Sequence, residues 1–432
     1  MSDMPQLLVL LKELDDQLVT CMRCGMCQAV CPLYATTGRE TDVARGKIAL
    51  LEGLAHKLIE DAQGVQDRLH SCLLCGACAA SCPSGVKTLE IFLKARAVLA
   101  TYSGLSPAKK LIFKGLLTRP KLFNKLLSLA ASFQGLALKP ASELLGSSCG
   151  RFGLPGLAGR HIIPLAQKPF LATVGGVDAP KGKSGVKVAF YPGCVVDKIF
   201  PQVGLASLKA LEHHGVAVYL PKDQACCGIP ALSAGDRPTF EKLVAANLEM
   251  FGAAGVFDYL VTPCATCAST IKKLWPTMTT GLSLASRKRI GELAAKTMDI
   301  TAFLVDKVGL VAPATQNESA TAVTCHDPCH LKKSLGVSEQ PRTLLSLNPA
   351  YRLVEMADAD ACCGCGGSFT LQHYELSKQI GGRKRDNILA SSAEIVAAAC
   401  PACMLQLTDM LSQAGARVAV KHPVELYAET LD

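Results

Sequence analysis

The run CMRCGMCQAVCP at residues 21–32 recurs at residues 72–83 as CLLCGACAASCP. Three thiolates at spacings of three wrap one [4Fe–4S] cube, and the fourth cysteine, directly before a proline, turns away to ligate the other cluster. The two copies therefore predict two cubane clusters with crossed ligands. One predicted set is Cys21, Cys24, Cys27 and Cys82, and the other is Cys72, Cys75, Cys78 and Cys31.

Zinc is the alternative metal for these eight cysteines, because it also binds four thiolates. Zinc motifs usually pair two CxxC units, and neither run has that form. Between the runs, residues 43–59 carry apolar side chains at helical spacing, namely Ile48, Leu51, Leu54 and Leu58. We therefore expect residues 1–100 to form a helical 2[4Fe–4S] ferredoxin-like domain.

The composition of the whole chain supports metal sites in a folded protein. Its 432 residues include 21 cysteines, with 49% hydrophobic and 19% charged residues. The N-terminus lacks a basic start and carries Glu13, Asp15 and Asp16, so it does not resemble a secretory signal. A cytoplasmic location is expected, and clustered cysteines in that compartment are more often metal ligands than disulfides.

A basic segment follows the predicted clusters. The stretch between Glu90 and Glu143 has no acidic residue and holds nine lysines and arginines. Its charge equals the net charge of the whole chain, +9. Between residues 111 and 138 the lysines alternate with apolar residues and Pro120 interrupts the pattern, which predicts two basic amphipathic helices. A helical hairpin and a peripheral contact with the inner face of a membrane both stay open. Nucleic acid is excluded as a partner because aromatic residues are sparse.

A duplicated pattern occupies the C-terminal half. Short β runs alternate with helices, and cysteines stand at strand ends and helix starts. In both copies 36 residues, 228–263 and 364–399, separate a Cys-Cys pair from a CxxC unit. The predicted domains are 1–100, the basic helices and Gly/Pro-rich linker at 101–185, a first repeat at 186–280, and a second at 281–432. The expected fold is multidomain, α and α/β, with the repeats related by a pseudo-twofold axis.

These repeats resemble the CCG cysteine-rich domain of heterodisulfide reductases and of the iron–sulfur subunits of glycolate and D-lactate dehydrogenases. With the two-cluster domain in front, the whole chain resembles the glycolate oxidase iron–sulfur subunit family. The resemblance implies one or two further clusters of the non-cubane [4Fe–4S] kind. The implied ligands are Cys194, Cys226, Cys227, Cys264 and Cys267 in the first repeat and Cys329, Cys362, Cys363, Cys400 and Cys403 in the second.

The family also implies a function. A separate FAD-binding subunit oxidises a 2-hydroxy acid such as D-lactate or glycolate, and the cluster subunit passes electrons to a quinone, an electron-transfer flavoprotein or another redox protein. The sequence has no usual flavin or nucleotide motif, so we expect neither group on this chain and place substrate oxidation on the partner. The alternative is a heterodisulfide-reductase-like catalytic subunit that cleaves a disulfide through its non-cubane clusters.

Several residues near the repeats keep open roles. Zinc in either repeat remains an alternative, since thiolate sites accept both metals. Cys325 competes with Cys329 as the first ligand of the second repeat, and the spacing favours Cys329. A histidine beside a cluster donates an N–H to sulfur, shuttles a proton, or is simply structural. The residues concerned are Cys149, Cys325, Cys365, His326 and His330.

Overall fold

The N-terminal part of the computed structural model is helical. The model describes residues 4–152, 159–252, 255–313 and 317–431. The helices of this part are α1 (Met4–Lys12), α2 (Asp15–Leu18), α3 (Met26–Ala29), α4 (Tyr34–Thr37), α5 (Ala44–Ala55), α6 (Ala62–His70), α7 (Ala77–Ala80) and α8 (Thr88–Ser103). The expected apolar face of α5 is confirmed for Ile48, Leu51 and Leu54, which are buried. Leu58 lies beyond the end of the helix and is 82% exposed, so that part of the expectation is wrong.

The basic segment forms two helical stretches that separate at Pro120, as expected. They are α9 (Pro107–Lys110), which continues as a π-helical stretch over Leu111–Leu117, and α10 (Pro120–Ala137). Proline suits the first position of α10 because its missing N–H would have no partner there. The Gly/Pro-rich stretch after α10 is more structured than a linker. It contributes to an antiparallel sheet of β1 (Leu138–Ser142), β2 (Ser147–Gly150) and β3 (His161–Ile162), which packs on the second repeat.

The first repeat forms a five-stranded sheet with helices, called the first lobe here. Its strand order is β4-β6-β5-β7-β8, with β4 antiparallel and the other strands parallel. Its elements are α11 (Phe170–Val174), β4 (Val177–Asp178), β5 (Lys187–Phe190), α12 (Gly193–Lys198), α13 (Pro201–His213), β6 (Ala217–Leu220), α14 (Ile229–Ser233), α15 (Arg237–Gly252), β7 (Tyr259–Thr262), α16 (Ala265–Ser269), the π-helical turn Thr270–Leu274, α17 (Trp275–Met278), α18 (Leu284–Lys296), β8 (Thr297–Asp299) and α19 (Ile300–Asp306).

The second repeat, called the second lobe, has a parallel sheet in the order β10-β9-β11-β12. This order matches β6-β5-β7-β8 of the first lobe. Its elements are β9 (Thr321–His326), α20 (Cys329–Leu335), α21 (Glu339–Ser346), β10 (Tyr351–Leu353), α22 (Ser368–Gln372), α23 (Tyr374–Ala390), β11 (Ile395–Ala398), α24 (Pro401–Gln413), β12 (Ala419–Lys421) and α25 (Pro423–Ala428).

The central strands of both sheets are buried on both faces, as Val188, Ala189 and Phe190 of β5 illustrate. This arrangement is typical of parallel sheets whose crossover helices cover both sides. The structure moves one expected boundary. The strand β8 pairs with β7 in the first sheet, so a boundary at residue 280 falls inside the first lobe.

The helical part packs directly on the first lobe. Arg96 of α8 is 2% exposed, and its guanidinium donates to the carbonyl oxygens of Ser233 at 2.8 Å and Cys72 at 2.9 Å, and to that of Leu69. The backbone at position 235 approaches α8 so closely that only glycine fits there. An added Cβ would lie 2.5 Å from the Arg96 carbonyl oxygen. Among the described residues, no helix is both long and apolar enough to cross a membrane.

Candidate metal centres

The two N-terminal cysteine runs share one backbone conformation. Arg23 and Leu74 occupy matching positions and both have positive φ, 57° and 54°, which is uncommon for residues other than glycine. The glycine two residues later is also left-handed in each run, and a short helix, α3 or α7, begins directly after it. This repeated turn curls each run so that its first three cysteines line one cavity.

The first cavity brings together Cys21, Cys24, Cys27 and, from the other run, Cys82. We call these four residues the outer group, because Cys24 is exposed. Cys78 also lines this cavity. Cys82 of the second run therefore lies in the cavity of the first run, while the crossed ligand sets remain a prediction.

The second cavity is lined by Cys31, Cys72, Cys75 and Cys78, which we call the inner group. Since Cys78 lines both cavities, the outer and inner groups adjoin. The backbone N–H of Tyr34 donates to the Cys31 sulfur at 3.5 Å, and that of Leu74 donates to the Cys72 sulfur at 3.4 Å. Such N–H groups would stabilise thiolates bound to a cluster.

Burial makes free thiolates unfavourable in the inner group. It raises the pKa of Cys31 to about 11 and that of Cys78 to about 12. A metal must therefore displace the proton before these sulfurs act as ligands. Lys47 lines the same cavity with its side chain almost fully buried, and its ammonium donates to the backbone carbonyl of Asp42. The cysteine spacing does not indicate this cation, although a lysine among the apolar residues of α5 is a signal for it.

The first-lobe group consists of Cys194, Cys226, Cys227, Cys264 and Cys267, which lie where strands end and helices begin. Cys194 stands in the first turn of α12, and Cys264 caps the N-terminus of α16. Their thiols form a series of contacts, in which Cys194 interacts with Cys226 and Cys226 with Cys227. The sulfur of Cys227 lies 3.7 Å from that of Cys267. Cys267 also interacts with Cys264.

The second-lobe group repeats this pattern with Cys329, Cys362, Cys363, Cys400 and Cys403. The thiol of Cys329 interacts with that of Cys362, Cys362 with Cys363, Cys363 with Cys403, and Cys403 with Cys400. Gly364 follows the cysteine pair with φ of +89°, and an added Cβ would lie 2.6 Å from the Ser377 carbonyl oxygen. Only glycine fits there, which explains the Cys-Cys-Gly sequence.

Thiol contacts also join the groups. Cys75 of the inner group interacts with Cys362 of the second lobe, and Cys400 of the second lobe interacts with Cys264 of the first. The hydroxyl of Thr266 lies 3.4 Å from the Cys400 sulfur at the same junction. The second-lobe group therefore contacts both the inner group and the first-lobe group, a connection that the sequence did not reveal.

The three remaining cysteines occupy different environments. Cys325 is fully buried in an apolar cluster with Val323, Leu345, Ala397 and Leu426. Cys365 is buried at the edge of the second-lobe group, where Cys363 influences it electrostatically. Cys149 is half-buried on β2, in register with His161 of β3. The side chain of Cys325 thus packs with apolar residues.

One further feature is a cleft at the first-lobe group. It is lined by Cys194 and Cys226 on one side and by Phe123 and Asn124 of α10 on the other. Lys198 also lines it and forms a buried ion pair with Asp197 at 2.7 Å. The cleft therefore connects the first-lobe cysteines with the basic helix.

The donor sets fit iron–sulfur clusters. Each of the four groups offers at least the four thiol sulfurs that a cluster requires, and two of the groups surround cavities. The fold and its cysteine groups define a multicentre iron–sulfur protein of mixed helical and α/β architecture.

Comparisons with known proteins agree with this class. The family model of a 4Fe-4S dicluster domain matches residues 17–86, and that of the CCG cysteine-rich domain matches residues 188–272 and 323–408. A lactate utilization protein A from Exiguobacterium sp. is 32% identical over 247 residues, which cover 56% of this chain and 97% of that protein.

Two relatives are similar over nearly the full length. A probable glycolate oxidase iron–sulfur subunit from Bacillus subtilis is 28% identical, covering 96% of this chain and 94% of the relative. A subunit of the dihydromethanophenazine:CoB–CoM heterodisulfide reductase from Methanosarcina acetivorans is also 28% identical, covering 98% of this chain and 95% of the relative. The chain belongs to this family of iron–sulfur proteins with a dicluster domain and tandem CCG domains.

Proposed function

We propose that the chain is the electron-transfer subunit of an FAD-dependent 2-hydroxy-acid dehydrogenase complex, with D-lactate or glycolate as the substrate class. It receives electrons from the flavoprotein subunit and passes them to a quinone or another carrier. When bound, iron–sulfur clusters supply one-electron chemistry, whereas oxidation of a hydroxy acid needs a two-electron cofactor such as flavin. Oxidation of the substrate therefore belongs to the partner.

The proposed ligands are the 18 cysteines of the four groups. The outer and inner groups each hold a cubane [4Fe–4S] cluster, and the lobe groups each hold a non-cubane cluster. Adjacent cysteines, such as Cys226 and Cys227, cannot comfortably serve two corners of one cube. This constraint supports an unusual cluster in each lobe.

One observation carries the proposal: the four cysteine groups adjoin one another in a fixed order. Cys78 of the inner group also lines the cavity of the outer group. The inner group touches the second lobe through Cys75, and the second lobe touches the first through Cys400. Neighbouring carriers in contact permit fast electron transfer along the series. The series has two accessible ends, the exposed outer group and the cleft at the first-lobe group.

The outer end suits a protein partner. Met22 and Met26 flank the outer group with exposed fractions of 68% and 56%, and Val19 is also exposed. Flexible methionine side chains adapt to a partner surface. We assign the flavoprotein subunit to this end.

The other end suits a lipid-soluble acceptor. The outward side of α10 exposes apolar residues next to basic ones, and the same helix forms one wall of the cleft. The exposed apolar residues are Leu122, Leu126, Leu129, Phe133 and Leu136, and the exposed lysines beside them are Lys114, Lys121 and Lys125. We propose that α10 lies on an anionic membrane surface and brings the cleft to membrane quinone.

The electron-transfer role is tested by anaerobic copurification of the full chain from its native host. We expect a FAD-containing protein to accompany it and D-lactate or glycolate to bleach the cluster absorbance. The variant Cys362→Ser should preserve reduction of the dicluster domain and prevent reduction of a short-chain quinone, with Cys149→Ser as the matched control. Absence of a flavoprotein and of hydroxy-acid-dependent bleaching would contradict the proposal.

The membrane contact has its own test. Replacing Lys114, Lys121 and Lys125 together with Glu should release the chain from vesicles containing anionic phosphatidylserine. The control reverses three exposed basic residues elsewhere, Lys242, Arg287 and Lys288, with the same change in net charge. Equal binding of the two triple variants would show that α10 is not the membrane surface.

The second candidate is a heterodisulfide-reductase-like catalytic subunit. The cleft supports it, because Cys194 and Cys226 are accessible from a pocket that also contains the Lys198 ammonium. The isolated chain would then reduce a small disulfide with reduced viologen as donor. Turnover without any flavoprotein would favour this candidate over the first.

We also propose that the lobes are related by a pseudo-twofold axis. In support, equivalent residues Cys264 and Cys400 contact each other, as expected at an isologous interface. The helix contacts are reciprocal: α16 contacts α20 while α12 contacts α24, and α13 contacts α25 while α19 contacts α21. The pseudo-twofold axis is tested by superposing one lobe on the other in an experimental structure. The expected rotation is near 180°.

A further inference from the structure

An imidazole faces the cysteines of the second lobe. His326 is the last residue of β9, and its side chain is 1% exposed. A ring nitrogen of His326 and the sulfur atoms of Cys363 and Cys403 all lie within 4.8 Å of one another. Strand alternation explains the placement, because Cys325 points to the apolar cluster on the opposite face while His326 points towards the thiols.

The hydrogen bond of the ring fixes its tautomer. The Nδ1 atom lies 3.2 Å from the backbone carbonyl oxygen of Ala359. Because a carbonyl oxygen can only accept, Nδ1 carries the proton and Nε2 of the neutral ring carries a lone pair. Nε2 is buried and has no hydrogen-bond partner among the described residues. A buried nitrogen lone pair is costly when neither a hydrogen-bond donor nor a metal ion binds it.

We propose that His326 Nε2 is a nitrogen ligand of the metal centre in the second lobe, beside Cys363 and Cys403. The inference rests on the proposed function in one respect, because that function assigns a metal centre to the second lobe. Histidine ligands to metals usually donate their other N–H to a carbonyl or carboxylate, and the bond to Ala359 has that form. An N–H···S bond from Nε2 is disfavoured, since it would require a proton on both nitrogens or a lone pair directed at the Ala359 carbonyl.

The first lobe differs at the corresponding position. Tyr191 stands three residues before Cys194, just as His326 stands three residues before Cys329. Its hydroxyl donates to the Ala225 carbonyl oxygen at 2.7 Å, so its proton is already bonded away from the cysteines. This position of the first lobe therefore offers no imidazole, and the two lobes hold chemically different centres.

Neighbouring polar groups do not replace His326. His330 Nδ1 lies 3.0 Å from the Thr266 hydroxyl, so this nitrogen already has a hydrogen-bond partner. The ammonium of Lys384 is buried near Cys362 and Cys363, where it donates to the Asp358 carbonyl. A cation there stabilises an anionic centre but is no ligand.

An imidazole ligand changes the centre. Unlike a thiolate, a neutral nitrogen donor adds no negative charge, and histidine ligands in Rieske clusters raise the reduction potential. The second-lobe centre should therefore have a higher potential than the all-thiolate centre of the first lobe. The second-lobe centre would therefore retain an electron that travels from the dicluster domain towards the cleft.

The decisive experiment is an anaerobic crystal structure of the unmodified full chain with anomalous data at the iron and zinc edges. The expected result is a metal in the second lobe at about 2.0–2.1 Å from His326 Nε2. A metal bound by thiolates alone, with Nε2 outside ligand distance, would overturn the histidine assignment and leave the four-centre proposal intact. If neither edge gives a second-lobe peak, the centre itself is wrong, and so is its ligand.

Variants provide an independent readout. In pulsed electron paramagnetic resonance of the full chain, ¹⁵N-histidine labelling should change the nitrogen coupling of the second-lobe centre. His326→Gln should remove that coupling and lower the midpoint potential, whereas His330→Gln should preserve both. Persistence of the coupling in His326→Gln, with iron content unchanged, would overturn the assignment.

Discussion

The thiol of Cys264 contacts the thiol of Cys400, although the two residues belong to different lobes. Both residues cap helices, α16 and α24, and the Ala265 N–H donates to the Ala399 carbonyl oxygen at 3.3 Å across the same junction. Two backbone segments in such contact hold the lobe groups at a fixed separation. Under the proposed function, the two lobes therefore serve as one electron-transfer unit.

The junction makes Cys264 a good site to interrupt the series. We expect Cys264→Ser to lose the first-lobe iron and to stop quinone reduction, while the dicluster domain is still reduced by the hydroxy acid. Iron analysis and stopped-flow absorbance measure the two effects. Cys149→Ser, on β2, should change neither. Unimpaired quinone reduction by Cys264→Ser would place the acceptor before the first lobe.

The crossed arrangement of the outer and inner groups predicts which variants resemble each other. Cys82→Ala should match Cys24→Ala, and Cys31→Ala should match Cys75→Ala, because the members of each pair line one cavity. Each variant should lose about four iron atoms per chain, one cubane. Electron paramagnetic resonance of the reduced proteins distinguishes the clusters. If Cys82→Ala instead matches Cys75→Ala, the ligands are not crossed.

Arg96 fixes the helical part to the first lobe. Arg96→Met leaves the carbonyl oxygens of Leu69, Cys72 and Ser233 without this donor in a buried interface. Since an unsatisfied buried group costs about 1–3 kcal/mol, we expect the free energy of unfolding to fall by about 3 kcal/mol or more. Anaerobic urea denaturation measures it. Lys94→Met, on the same helix, is the control and should cost less than about 1 kcal/mol.

His422 gives the fold an acid-sensitive element. Burial lowers the pKa of His422 to about 4 from 6.5, and its neutral Nδ1 accepts from the Val424 N–H at 3.1 Å to cap α25. The folded state binds fewer protons than the unfolded state between these values, so stability is complete above pH 6.5 and is lost as pH falls towards 4. The loss amounts to about 3 kcal/mol.

The variant His422→Asn tests this dependence, since asparagine also caps helices but does not titrate. Thermal denaturation should show a flatter pH profile between 6.5 and 4 for His422→Asn than for the unmodified chain. His56→Asn, which replaces a half-exposed histidine, is the matched control. Parallel profiles for His422→Asn and the unmodified chain would exclude His422 as the source of the acid sensitivity.

The sequence by itself determined the local features. Cysteine spacing indicated two crossed ferredoxin-type sets and a duplicated cysteine pattern, because ligand geometry requires fixed separations along the chain. Hydrophobic periodicity indicated the helix that carries Ile48, Leu51 and Leu54, since this element buries its own repeating face. These features depend on neighbours in sequence.

Only the tertiary structure decided how those features meet. The contacts of Cys75 with Cys362 and of Cys264 with Cys400 join distant segments, so no spacing rule encodes them. The same holds for the packing of β1–β3 on the second lobe and for the buried lysines at positions 47 and 384. The free Nε2 of His326 is known only from its three-dimensional surroundings, because hydrogen bonding of the other ring nitrogen decides which nitrogen can bind a metal.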